Sequence, residues 1–162
     1  MNGIIANALR SLGIPTVLEP PGLLRGDGKR PDGSTLVPWS GGRPLLWDFT
    51  CPDTFAPSHL RLTSNSAGAA ASAAEVHKVA KYSSFIHTHI FVPVGVESSG
   101  VWEVQAAEFL RDVGRRLSMA SGDSRSGFFF RQRVDVAIQR GNALSVLGTF
   151  PPSCTELEAS ID

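Results

Sequence analysis

Apolar residues recur at helical spacing in the opening stretch, with Ile4, Ile5, Ala8, Leu9 and Leu12 on one side, and Gly13 with Pro15 supplies a stop. PTVLE then reads as a short strand. The stretch PPGLLRGDGKRPDG is dense in proline and glycine, so it reads as a loop delivering the chain to STLVPW and, after a turn at Gly41 and Gly42, to RPLLWDFTC. That pattern predicts a hairpin whose second strand is central, followed by an irregular stretch over 53–63. From Ser66 to Tyr82 the spacing predicts an alanine-rich helix whose small side chains suit close approach to a sheet. Ala69, Ala73, Val76, Val79 and Ala80 cluster on one arc of it, and Glu75, Lys78, Lys81 and Tyr82 occupy the rest. FIHTHIFVPVGVE reads as another strand. After Gly100 comes an amphipathic helix with Trp102, Ala106, Phe109, Leu110, Val113 and Leu117 inward, and a last helix begins after Gly122 and Asp123. The order α-β-β-β-α-β-α-α, a hairpin inside an otherwise alternating chain, predicts an α/β fold with a mixed central sheet flanked by helices.

At 162 residues with 42% hydrophobic content the chain fills one core, so a single domain is expected over 1–149, with a disordered acidic tail over 150–162. The formal net charge is zero, but it hides an asymmetry. Seven arginines between Arg111 and Arg140 face three aspartates, and the tail carries only Glu156, Glu158 and Asp162 as charges, so a basic face is expected despite neutrality. Cys51 and Cys154 are too few and too far apart for a zinc site, and the four histidines have no metal spacing, with His87 and His89 alternating in a strand-like run and His59 and His77 alone. No charged-then-apolar leader and no membrane-length apolar run is present, so an intracellular, unsecreted, membrane-free setting is the expectation.

Two aspartates carry the candidate chemistry. With Asp32 opening the second strand and Asp48 near the end of the third, an antiparallel hairpin brings both carboxylates to one end of the sheet. Mutual repulsion there calls for a cation, and a hard divalent ion with oxygen ligands is the usual answer, with the Phe49 carbonyl as a third oxygen. Mg²⁺ in such a site retains waters, one of which can be presented to a phosphodiester and deprotonated more readily. A cationic side chain is still required near the phosphate, and Lys78 and Lys81 supply two of the only three lysines in the chain. Arg133 and Arg140, seven apart on the last helix, can track a nucleic-acid backbone.

Bland readings stand beside these. Pro-Asp-Gly is most often a turn, Asp48 has a solvent-facing strand position as its rival, and Lys78 can pair with Glu75 on a solvated helix face. Tyr82 reads as a helix-end packing residue, His77 as exposed, and Trp39, Trp47 and Phe128 to Phe130 as core or partly buried anchors.

KRPD, a hairpin, WDFT, and a helix ending in KVAKY, followed by FVPVGVESSGVW, together resemble the restriction-like endonuclease domain of site-specific non-LTR retrotransposons, a branch of the PD-(D/E)XK nucleases, over most of the chain. The resemblance implies a restriction-endonuclease-like fold and a metal-dependent DNA endonuclease. Pro31 and Asp32 would be the PD element and Asp48 the second acid. Lys81, with Lys78 as rival, would replace the lysine usually found two residues on, where this chain has Thr50. It further implies Mg²⁺ or Mn²⁺ as cofactor, Glu19 as an accessory metal ligand, Arg30, Arg131, Arg133 and Arg140 as DNA contacts, a nuclear setting, and a reverse transcriptase module as partner in a parent element. Two alternatives remain open: an inactive or domesticated remnant that binds DNA or protein without cutting, and a resolvase-like nuclease acting on branched DNA.

Overall fold

The computed structural model describes residues 1–23 and 30–149. Helix α1 (Asn2–Ser11) buries Ile5, Ala6, Ala8 and Leu9 and leads to strand β1 (Thr16–Leu18). Strands β2 (Gly33–Thr35) and β3 (Leu45–Thr50), helices α2 (Pro57–Thr63) and α3 (Ala69–Lys81), strand β4 (Ile90–Gly95), and helices α4 (Val104–Ser121) and α5 (Ser126–Leu147) follow. The four strands form one mixed sheet in the order β1-β2-β3-β4, with the first two pairings antiparallel and β3 parallel to β4. No helix among the described residues is long and apolar enough to cross a membrane.

Period-2 alternation along β3 sends its side chains to two layers. Leu45 and Trp47 enter the main core with α1, α4 and α5, where Leu9, Phe109, Val113, Phe130 and Val134 meet them. Leu46 and Asp48, both buried, take the opposite face, beneath α3. Helices α4 and α5 come unusually close because two glycines meet: a Cβ on Gly127 would lie 2.6 Å from the Gly114 carbonyl oxygen. Strand β4 is an edge among the described residues. Its even-numbered amides point to β3, as Ile90 N–H and Val96 N–H do to the carbonyls of Pro44 and Thr50, so the position lacking an N–H, Pro93, faces outward.

The sheet and the inward face of α4 follow the hydrophobic pattern, but several elements differ from it. The stretch 53–63 is not wholly irregular, because Pro57 at the first helical turn presets φ for α2, whose Leu60 and Leu62 nonetheless remain exposed. Strand β2 ends at Thr35, well before Trp39, since Thr35 turns its hydroxyl onto the Val37 carbonyl and Leu45 N–H donates to that same hydroxyl. The run 85–89 forms a 3-10 turn and bend, so His87 and His89 lie outside β4. Trp102 sits ahead of α4, bridged to Val96, and Phe128 and Phe129 are exposed while Phe130 alone of the three joins the core.

The largest departure concerns α3. Its valine arc faces out, with Val76 67% exposed, and the buried positions are Ala70 and Ala71, with Tyr82 just beyond the helix end. A buried carboxylate beneath the helix decides the rotation: bringing Lys78 to Asp48 outweighs covering two valines, because an unneutralised buried charge costs about 3–5 kcal/mol whereas a half-covered valine costs a fraction of about 1.5–3. Lys29 and the tail over 150–162, including Cys154 and its expected disorder, lie outside the described residues.

Candidate functional site

The register pairs Gly33 with Trp47, and its continuation by one residue sets Asp32 opposite Asp48. Asp32 Oδ2 accepts a hydrogen bond from Phe49 N–H at 2.7 Å, which ties its carboxylate to the backbone immediately after Asp48. Because even-numbered carbonyls of β3 point to β4, that of Phe49 points to the β2 side. Asp32 and Asp48 thus lie on adjoining strands, joined through the Phe49 amide.

Asp48 is only 3% exposed, so both of its oxygens require partners. Lys78 Nζ makes an ion pair with Oδ2, and Tyr82 Oη lies 2.9 Å from Oδ1. Tyr82 Oη also lies 2.9 Å from the Arg30 carbonyl oxygen. A phenol has one proton, so it fully satisfies only one of these two oxygens at a time. The phenol therefore bridges a side-chain oxygen and a backbone oxygen with a single proton, beside the Lys78 ammonium.

Lys81 takes a different place. Its ammonium sits 4.5 Å from the centroid of the Tyr82 ring, and Phe91 packs against the same ring at 4.9 Å between centroids. Glu19 pairs with Arg30, and among the described residues no three His, Cys, Asp or Glu side chains converge, so Glu19 does not complete a triad with the two aspartates. Its backbone is still part of the site: Glu19 N–H donates to the Asp32 carbonyl at 2.9 Å, and Glu19 adopts φ 48°, a left-handed conformation rare for any residue but glycine. Of the arginines, Arg133 and Arg140 are exposed, whereas Arg131 lies near Asp135 and over Trp102.

Two features went unread in the sequence. Tyr82 is a buried partner of Asp48 as well as a packing residue; its place four residues after Lys78, one helical turn, was the available signal. Glu97, 1% exposed, accepts from Ala70 N–H at 2.9 Å, Ser99 Oγ at 3.2 Å and Thr54 Oγ1 at 3.3 Å, which fixes the N-terminal turn of α3 to the end of β4 and so aims Lys78 and Tyr82. Nothing in GVESSG announces that role.

Glu75, one turn before Lys78, does not pair with it but meets Gln105 and the buried Glu103 at the start of α4. Burial, then a hydrogen bond with Glu103 and the charge on it, pushes the Glu75 carboxyl up to about 7. The folded state therefore holds this proton more tightly than the unfolded chain does. The resulting stability is complete below pH 4.5 and is lost as pH rises through about 7. Thermal melts across that window are expected to show a steeper decline for the wild type than for Glu75→Gln, whose neutral amide carries no such titration.

A cavity of about 630 Å³ opens on the α5 side of the same strand end, lined by Phe49, Cys51, Phe55, Ile138 and Asn142 among others. Its walls are mainly apolar, and it shares only Phe49 with the aspartate corner. No family model and no curated protein matches the chain.

Proposed function

We propose that the chain is a metal-dependent endonuclease domain of the restriction-endonuclease-like class, acting on DNA. The observation that carries this reading is the convergence of Asp32, Asp48 and Lys78 from a hairpin and the following helix on one buried corner. Oxygen ligands from carboxylates and a backbone carbonyl suit a hard cation, and Asp32, Asp48 and the Phe49 carbonyl would hold Mg²⁺ or Mn²⁺. When bound, such an ion makes a water more acidic and offsets charge on the phosphate. Lys78 sets the orientation of Asp48 and brings a compact positive charge to the place where the phosphate would lie. Tyr82 holds the other carboxylate oxygen. Lys81, stacked on Tyr82, backs this arrangement, so Lys78 takes the role for which the two lysines compete. Arg133 and Arg140, exposed on α5, would contact the DNA backbone. Within a larger element the nick would supply a 3′ end to a reverse transcriptase in the nucleus.

One observation favours a second reading, a fold that binds DNA without cutting it: Lys78 already neutralises Asp48. Supercoiled plasmid incubated with the purified protein and Mg²⁺, Mn²⁺ or EDTA separates the two. Nicking with either metal and none with EDTA is expected. Retention of plasmid on the protein with no nick under any metal would replace the nuclease with the binding module.

A further inference from the structure

We propose that the groove between α4 and α5 is a phosphate-binding site. Arg111, Arg115 and Arg131 line a groove of about 310 Å³, and Gly114 and Gly127 form part of its floor. The floor is backbone because no side chain fits there: a Cβ on Gly114 would lie 3.3 Å from the Gly127 Cα. The two helices thus meet along a bare seam walled by guanidinium groups.

The walls are not fully used among the described residues. Arg111 is exposed and makes no ion pair among the described residues. Arg115 is held by Asp112 at 2.5 Å, but Asp112 also serves Arg116 at 3.0 Å. Arg131 is the most telling. Its Nε is buried and without a hydrogen-bond partner among the described residues, 3.5 Å from Asp135 Oδ1, while its guanidinium carbon sits 5.5 Å from the centroid of the Trp102 ring. Asp135 thus orients Arg131 through the inner nitrogen, and among the described residues no hydrogen bond engages the terminal nitrogens of the fork, which remain for a ligand in the groove.

Ligand chemistry follows from the donors. Planar guanidinium forks match the oxygens of a phosphate in pairs, and three arginines around one groove offer more donors than a carboxylate can accept. A phosphate ester or a free phosphate compound fits. The site lies in the α4–α5 layer, across the sheet from Asp48, so the inference does not depend on the nuclease reading and does not place this phosphate at the aspartates.

The test uses two probes, inorganic pyrophosphate followed by thermal shift and a fluorescein-labelled duplex oligonucleotide followed by anisotropy at several salt concentrations. At least one is expected to bind the wild type. The probe that binds separates a free phosphate compound from a nucleic-acid backbone, and competition between them places both in one groove. Arg111→Ser removes an exposed side chain and should fold as the wild type does. It is expected to weaken binding about 3–10-fold and, for the oligonucleotide, to lower the salt slope by about 1. Arg131→Lys, which retains charge but loses the fork, should weaken it comparably. Failure of both probes to bind, or unchanged binding by a folded Arg111→Ser, would overturn the proposal. Plasmid nicking is scored separately, so neither result touches the reading of Asp48.

Discussion

Asp48→Asn is expected to lose metal-dependent nicking by more than about a hundredfold, beyond the usual cost of removing an outer partner from a metal site. The amide is nearly isosteric and can still accept from Tyr82 Oη, so the fold should survive. Its NH₂ group, however, can face the Lys78 ammonium donor to donor, at a cost in stability of about 1–3 kcal/mol. Lys78→Met removes the other half of the pair and leaves a carboxylate that is 3% exposed without its cation, a loss of about 3–5 kcal/mol. Combining the two should recover much of the stability, since neither charge remains, without recovering any nicking. Urea midpoints for the wild type, the two single variants and the double variant measure the coupling, and plasmid assays on the same four proteins measure the chemistry. Full nicking by Asp48→Asn would remove the aspartate from the mechanism, and strict additivity of the two midpoints would remove the ion pair from the account of stability.

Gly33→Ala should be the most damaging small substitution outside the ion pair. A Cβ at Gly33 would lie 2.0 Å from Trp47 Cζ2, far inside any tolerable contact. Trp47 cannot readily retreat, because it is fully buried among α1, α4 and α5. Overpacking of this kind costs about 1–3 kcal/mol and more where the backbone must move, so the upper end or beyond is expected from the urea midpoint. The damage should also reach the site, since Asp32 is the preceding residue and its bond to Phe49 N–H depends on this strand pairing. Gly3→Ala provides a contrast: the added methyl meets nothing within 4 Å inside α1, and a gain of about 0.5–1 kcal/mol is expected.

Local periodicity made much of the fold legible. Ala106, Phe109, Leu110 and Val113 on α4 repeat at helical spacing and all point inward. Asp32 and Asp48 were legible for a related reason: a carboxylate interrupting an apolar strand requires a partner. The rotation of α3 was not legible, because its apolar arc gave the wrong face. That face was settled by Asp48 in another element and by Glu97 at the helix start, neither of which leaves a trace in the periodicity of residues 69–81. The choice between Lys78 and Lys81 depended on the same rotation, as did the buried hydroxyl of Tyr82. Helix α2 escaped because its two leucines remain exposed and generate no amphipathic signal.

Pro93, on the open side of β4, has a consequence for how the molecule behaves in a crowd. A six-residue strand whose outer flank is covered only at its Gly95 end among the described residues invites another chain to zip onto it, as in fibril growth. The ring interrupts that row of donors at the middle of the strand, so the sheet carries its own terminator and copies of the protein are discouraged from polymerising through their flanks.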